Sequence, residues 1–196
     1  MALLRINTAG DSVLRKKSAP VEQVDEKIKE LIANIIETMQ AANGLGFAAP
    51  QVGVLLRIFV IDKGYIDHCA LSEEEKKKRK EEFNPIIFIN PEIVEKAGST
   101  SISEGCLSVP GYQTEVERAD EITLKYTDIN GKEQTIKASG LYSIAIQHEY
   151  DHLEGILFID RISNLKKGIA VKKVKKYLQN IKANGDEIEN TLYGKP

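Results

Sequence analysis

Apolar side chains recur at helical spacing through residues 24–42, where Ile28, Leu31, Ile32, Ile35, Ile36 and Met39 mark one face and polar residues the other. This pattern predicts an amphipathic helix, ended by Asn43 and Gly44, a pair that tolerates positive φ. A shorter helix is expected over 11–16, capped by Asp11. Residues 57–62 (RIFVID) and 86–95 read as strands, the second interrupted by Asn90 and Pro91. Between them the chain changes character, and the run SEEEKKKRKEE at 72–82 is almost all charge with no apolar face. Its mixed signs predict a solvated surface helix or loop. Residues 104–111 (EGCLSVPG) read as a turn-rich stretch. Segments 114–118, 121–127 and 133–138 alternate and are rich in β-formers, and residues 128–131 (DING) suit a turn that joins the last two as a hairpin. Residues 141–153 (LYSIAIQHEYDHL) are apolar nearly all round in their first half, which predicts a buried central helix. Residues 165–182 predict a basic helix that packs Ile169, Val171, Val174, Leu178 and Ile181 inward, followed by a loose end over 183–196. The expected class is α+β, with short antiparallel or mixed β-sheets around a buried central helix.

Composition narrows this picture without changing it. The chain has 196 residues, 42% of them hydrophobic and 29% charged, which suits a globular domain with a sizeable core. A formal net charge of −2 supplies no global field toward nucleic acid or an acidic membrane surface. No apolar run approaches the roughly 18 residues of a membrane span. Two cysteines, Cys69 and Cys106, are too few to form a stapling framework, and the N-terminus lacks the pattern of a secretory signal, so a reducing cytoplasmic setting is expected.

The candidate chemistry lies in the second helix. His148 and His152 are four residues apart, one turn above each other on one face, and can grip a single divalent ion. Glu149, beside the first imidazole, can reach a water on that ion without being a ligand, as in the H-E-x-x-H pattern. A solvated pair of histidines is the plainer alternative, but Ile144, Ala145 and Ile146 argue that this helix is buried, where two unpartnered imidazoles would be costly. A catalytic ion needs a third protein ligand and an open position. Cys106, in a Gly-flanked turn, is the leading candidate, with Glu154 and Asp160 as competing carboxylates. A lone buried cysteine is equally read as a small hydrophobe. A thiolate with two imidazoles suits zinc, iron(II), cobalt or nickel rather than magnesium or calcium. His68 and Cys69 form an adjacent pair that reads as a polar loop with a free thiol.

Three separated segments, GLGFAAPQ at 44–51, EGCLS at 104–108 and QHEYDH at 147–152, resemble the three signature motifs of the peptide deformylases, in the family's order. The resemblance covers the chain from the first helix to about Ser163. It implies a catalytic body over 1–165, with a charged insertion at about 64–84, followed by a basic helix and tail over 166–196. It also implies hydrolysis of the formyl group from the N-terminal formyl-methionine of nascent bacterial or organellar polypeptides. By the same resemblance Cys106, His148 and His152 are the metal ligands, and the ion is iron(II), with zinc, nickel or cobalt able to replace it. Glu149 is then the general acid/base, while the Gln51 side chain and the Leu107 N–H are oxyanion donors. Gly46 is expected to pair with a substrate lying as an extended strand, and Leu45, Ile102, Leu141, Ile144 and Ala145 are plausible walls for the methionine side chain. The basic C-terminal helix and the insertion are candidates for contact with the ribosome. Phe47 stands where leucine is more usual in the family, and Tyr150 fills a variable position. A metalloprotease and a structural metal site are the competing readings. The first needs a ligand after the helix and not Cys106, and the second has no use for Glu149 or Gln51.

Overall fold

The computed structural model describes residues 2–76 and 82–184, so residues 77–81 of the charged run and 185–196 of the expected loose end lie outside the described residues. The first long helix, α1 (Glu26–Ala41), starts where the Asp25 carboxylate accepts the Ile28 N–H at 2.9 Å. It buries Ile32, Ile35 and Met39, and the chain leaves it through Asn43 at φ 51°. The helix expected over 11–16 is a single 3-10 turn, Ser12–Arg15, fixed by Leu14 in the core.

Strand β1 (Gly46–Ala48) pairs antiparallel with β2 (Ile58–Asp62), a fully buried strand, which pairs in turn with β3 (Pro85–Ala97). Strands β6 (Glu121–Thr127) and β7 (Glu133–Ser139) form the expected hairpin and complete a five-stranded antiparallel sheet in the order β1-β2-β3-β6-β7. β3 runs through Asn90 and Pro91 as one strand. The residue without an N–H falls at a register shift between Ile89 and Glu92, so no ladder bond is lost there. Asn90 takes φ 49° and its side chain bonds both the N–H and the carbonyl of Val21, each at 2.8 Å.

The stretch expected to be turn-rich, 104–111, is the tip of a second hairpin, β4 (Thr100–Cys106) and β5 (Val109–Arg118), joined by the two-residue turn Leu107 and Ser108; β5 takes in the strand expected over 114–118. β4 escaped the sequence reading because serine, glycine and glutamate dilute its alternation. The insertion contributes α2 (Lys63–Cys69), which the spacing did not reveal, and the one-turn α3 (Glu73–Lys76), which lies within the surface helix or loop expected over 72–82.

Helix α4 (Gly140–Leu153) carries the H-E-x-x-H residues. It packs on β1, β2 and β7, with Ala145, Ile146 and Leu153 in the same core as Phe59, Phe88 and Leu124. Helix α5 (Asn164–Ala183) packs on β5, placing Ala170 and Val174 beside Val109, Val116 and Phe158 in a separate core. The H-E-x-x-H helix thus belongs to one core and the cysteine hairpin to another.

Candidate metal centre

The H-E-x-x-H turn and the tip of the β4–β5 hairpin converge on one point. Cys106 Sγ lies 3.3 Å from His152 Nε2, and ligand atoms of Cys106, His148 and His152 all fall within 4.8 Å of one another. Glu154 and Asp160, the competing carboxylates, are engaged elsewhere: Glu154 with Arg57 (2.5 Å) and Lys17 (2.7 Å), Asp160 with Arg15 and Lys167. His68 and Cys69 sit on α2, and Cys69 is exposed. Among the described residues no other group of three such side chains comes together.

The donor set fits a divalent cation. His148 Nδ1–H donates to the Glu104 carboxylate (2.8 Å), which leaves Nε2 for the centre. Burial opposes a charge on His148, yet the Cys106 sulfur and the Glu104 carboxylate outweigh it and hold its titration well above the ordinary value. A thiol and two imidazoles beside a buried carboxyl oxygen without a partner are the donors and the setting a borderline divalent cation takes. Burial, with His148 and Arg118 as charged neighbours, pushes His152 well below its ordinary value, into the neutral form that ligates.

Glu149 is buried, with Oε2 bonded to nothing in the protein, and burial pushes it up to about 7. A cation at the cluster would draw it down again. Its carboxyl packs against the bare backbone of Gly46, where an added Cβ would come within 2.6 Å of Oε1. Gly46→Ala is therefore expected to push the Glu149 carboxyl aside and lower kcat by about tenfold or more. Steady-state kinetics check this, and an unchanged kcat would show that the carboxyl has room to move.

Gln51 is 1% exposed, and its Oε1 accepts the Ala48 N–H at 2.8 Å, which orients the amide NH2 toward Ser108 Oγ (3.2 Å) and Cys106 Sγ (3.7 Å). Leu107 opens the two-residue turn of the hairpin and lines the same cleft as Gln51. A cleft of about 1240 Å³ opens from the cluster. Leu45, Gly46, Ile102, Leu141, Ile144 and Ala145, all named from the sequence, line it. Phe47 is wholly buried beneath β1, and Tyr150 carries the Arg57 guanidinium over its ring at 5.3 Å.

Sequence reasoning missed the groups that hold the ligands in place. Arg118 grips Glu104 through two nitrogens (2.6 and 2.9 Å) and reaches Asp151 at 2.7 Å, while Arg161 closes on Asp151 from the other side. One buried guanidinium so joins the cysteine strand to the histidine helix. Glu104 was legible in principle, since it lies two residues from Cys106 and side chains alternate along a strand. Arg118 was not, because its partners come from two other elements. Burial raises the Glu104 carboxyl, but hydrogen bonds from Arg118 and His148 overcome this and bring it down to about 2. Its folded-state value lies below 4.5, so the stabilisation is complete above that pH and is lost as pH falls toward 2. Acid unfolding is expected to be shallower in this window for Glu104→Gln than for the parent chain. Identical slopes would exclude Glu104 as the group that titrates.

A thiol and two imidazoles at bonding range, with a buried carboxyl beside them at the head of a deep cleft, define a metal-dependent hydrolase. Comparison with known proteins carries this further. Residues 3–168 match the family model described as polypeptide deformylase. The peptide deformylase of Thermodesulfovibrio yellowstonii is 44% identical over 89% of this chain and 98% of its own length, and that of Rickettsia prowazekii is 41% identical over 92% and 99%. The crystal structure of a peptide deformylase from Legionella pneumophila superposes with a TM-score of 0.78 at 40% identity, covering 93% of this chain and 98% of that one. One from Ehrlichia chaffeensis, in complex with actinonin, gives 0.78 at 40% over 90% and 98%. The chain belongs to the polypeptide deformylase family, and its activity is the hydrolytic removal of the formyl group from N-formyl-methionyl peptides.

Proposed function

We propose that Cys106, His148 and His152 hold one divalent cation, iron(II) in the cell with zinc, nickel or cobalt able to replace it. In this reading Glu149 serves as the acid and base of deformylation. The observation that carries it is the convergence of those three ligand atoms beside an unpartnered, buried Glu149 carboxylate. When bound, such a cation acts as a Lewis acid that activates water at neutral pH and polarises the formyl oxygen. Glu149 accepts the proton released as water attacks the formyl carbon and delivers it to the leaving nitrogen, so that formate and a free amino terminus are the products. In this reading the Gln51 amide and the Leu107 N–H are the donors to the oxygen on which negative charge grows.

The topology explains how a peptide is presented. β1 is an edge strand of its sheet, and β4 pairs only with β5, so each has an edge without a strand partner among the described residues. Gly44 to Gly46 and Ile102 to Cys106 line the same cleft. An extended substrate can add between the two edges, bonding backbone to backbone at Gly46. Its methionine side chain then lies among Leu45, Ile102, Leu141, Ile144 and Ala145. No helix among the described residues is long and apolar enough to cross a membrane, and we place the enzyme in the cytoplasm, where nascent chains are its substrates. The exposed Lys172 and Lys176 on α5 are proposed as a ribosome contact, which loss of co-sedimentation on reversing both charges would support.

The deciding experiment assays formyl-Met-Ala hydrolysis and metal content on one sample. Cys106→Ala is expected to lose both the ion and turnover, whereas Glu154→Ala and Asp160→Ala keep both. The opposite pattern would favour a protease-type centre. The choice of iron is tested in air: ferrous ion and thiolate are both oxidisable, so the iron-loaded enzyme should lose activity faster than a nickel-loaded one. Equal decay would exclude iron as the working ion.

A further inference from the structure

Two aromatic side chains line the cleft and have no part in the chemistry above. Tyr65 and Phe83 come from opposite ends of the charged insertion and are 40% and 38% exposed. A single carboxylate brings them together. Asp62, buried at the end of β2, accepts the N–H groups of Gly64 (3.0 Å) and Tyr65 (3.3 Å), where the insertion leaves the sheet. It also accepts the N–H of Asn84 (2.9 Å), where the insertion returns, and the Lys63 N–H donates to the Asn84 carbonyl at 2.9 Å. The two arms are so close that a Cβ on Gly64 would lie 1.5 Å from the Glu82 carbonyl oxygen, a position only glycine can fill. The insertion is clamped at its root, and the clamp sets both aromatics at the cleft.

Their place along the cleft follows from the register. Gly46, against the Glu149 carboxyl, pairs with Ile61, and the Asp62 N–H donates to the Leu45 carbonyl at 2.8 Å. Moving outward along β1, the path runs from Gly46 to Leu45 and Gly44, alongside Asp62 at the root of the insertion, and all of these line the cleft with Tyr65 and Phe83. An extended peptide advances about 3.4 Å per residue. A methionine at Gly46 and Leu45 leaves the next residues to lie in the outer part of the cleft, to which Tyr65 and Phe83 contribute. Aromatic rings left exposed in a concave site gain most from covering by another large apolar side chain.

Resting on the reading of this cleft as the deformylation site, we infer that Tyr65 and Phe83 are specificity-determining residues. They form an apolar wall that favours substrates with large apolar or aromatic side chains in the two positions after formyl-methionine.

The test compares kcat/KM of the metal-loaded enzyme on formyl-Met-Leu-Phe and formyl-Met-Ala-Ala. The wild type is expected to prefer the first by about tenfold, chiefly through KM. The ratio should fall to within about twofold in Tyr65→Ala/Phe83→Ala and persist in Phe83→Leu, which keeps an apolar surface. The ratio is internal to each sample, so a partly unfolded variant still reports it. A wild-type ratio near one, or an undiminished ratio in the double variant, overturns the inference while leaving deformylation intact. Failure of the wild type to hydrolyse either peptide overturns the underlying site reading as well.

Discussion

Glu149→Gln is expected to retain one divalent ion per chain and to lose about a thousandfold in kcat. The carboxyl is not among the three converging ligand atoms, so the ion has no reason to leave. Glutamine matches glutamate in size and fits against Gly46, so the cleft keeps its shape. It cannot accept a proton from water or return one to the departing nitrogen, and loss of a positioned acid/base costs about 10²- to 10⁴-fold. Metal analysis and turnover on the same preparation separate the two effects. A Glu149→Gln enzyme that lacks the ion as well as activity would make the carboxyl a ligand, and one with full turnover would remove it from the reaction.

The largest loss of stability is expected from Arg118→Met. The substitution keeps the aliphatic bulk but leaves Glu104 and Asp151 buried with their shared cation gone. Breaking one partner of a buried charge network costs about 3–5 kcal/mol, because the stranded charges have lost water without compensation. Asp151 retains Arg161, so most of the penalty falls on Glu104. Adding Glu104→Gln to Arg118→Met should recover part of the loss, and denaturant unfolding of the four proteins in the cycle measures it. A single-variant loss below about 1 kcal/mol would mean that the network is not what holds the two elements together. Since Glu104 also orients His148, the same variant should bind its ion about 10- to 100-fold more weakly.

The parts of this molecule that were legible in the sequence are those whose physics is local. The apolar periodicities of α1, α4 and α5 and the alternation around the DING turn lie within single elements, and the structure places helices and a hairpin there, although Ile169 and Val171, expected to face inward on α5, are exposed and Ala170 is buried between them. β4 and α2 were hidden because short polar segments are fixed by pairing and capping with distant residues, Asp62 with Asn84 being an instance. The same division runs through the site. Cys106, His148, Glu149, His152 and Gln51 are rare chemistries in recognisable settings, and the fold assembles them at one point. Arg118, Tyr65 and Phe83 lie where other elements happen to meet them, and no local spacing tells which exposed aromatic will border a cleft.

The edges of β1 and β4 that have no strand partner among the described residues have a bearing on the breadth of the enzyme's clientele. Main-chain amides are common to every protein a cell makes, so a channel that gripped them, as proposed above, would be indifferent to the gene being read. A generalist of this kind can serve a whole proteome with one active site, and side chains beyond the first can only rank its customers.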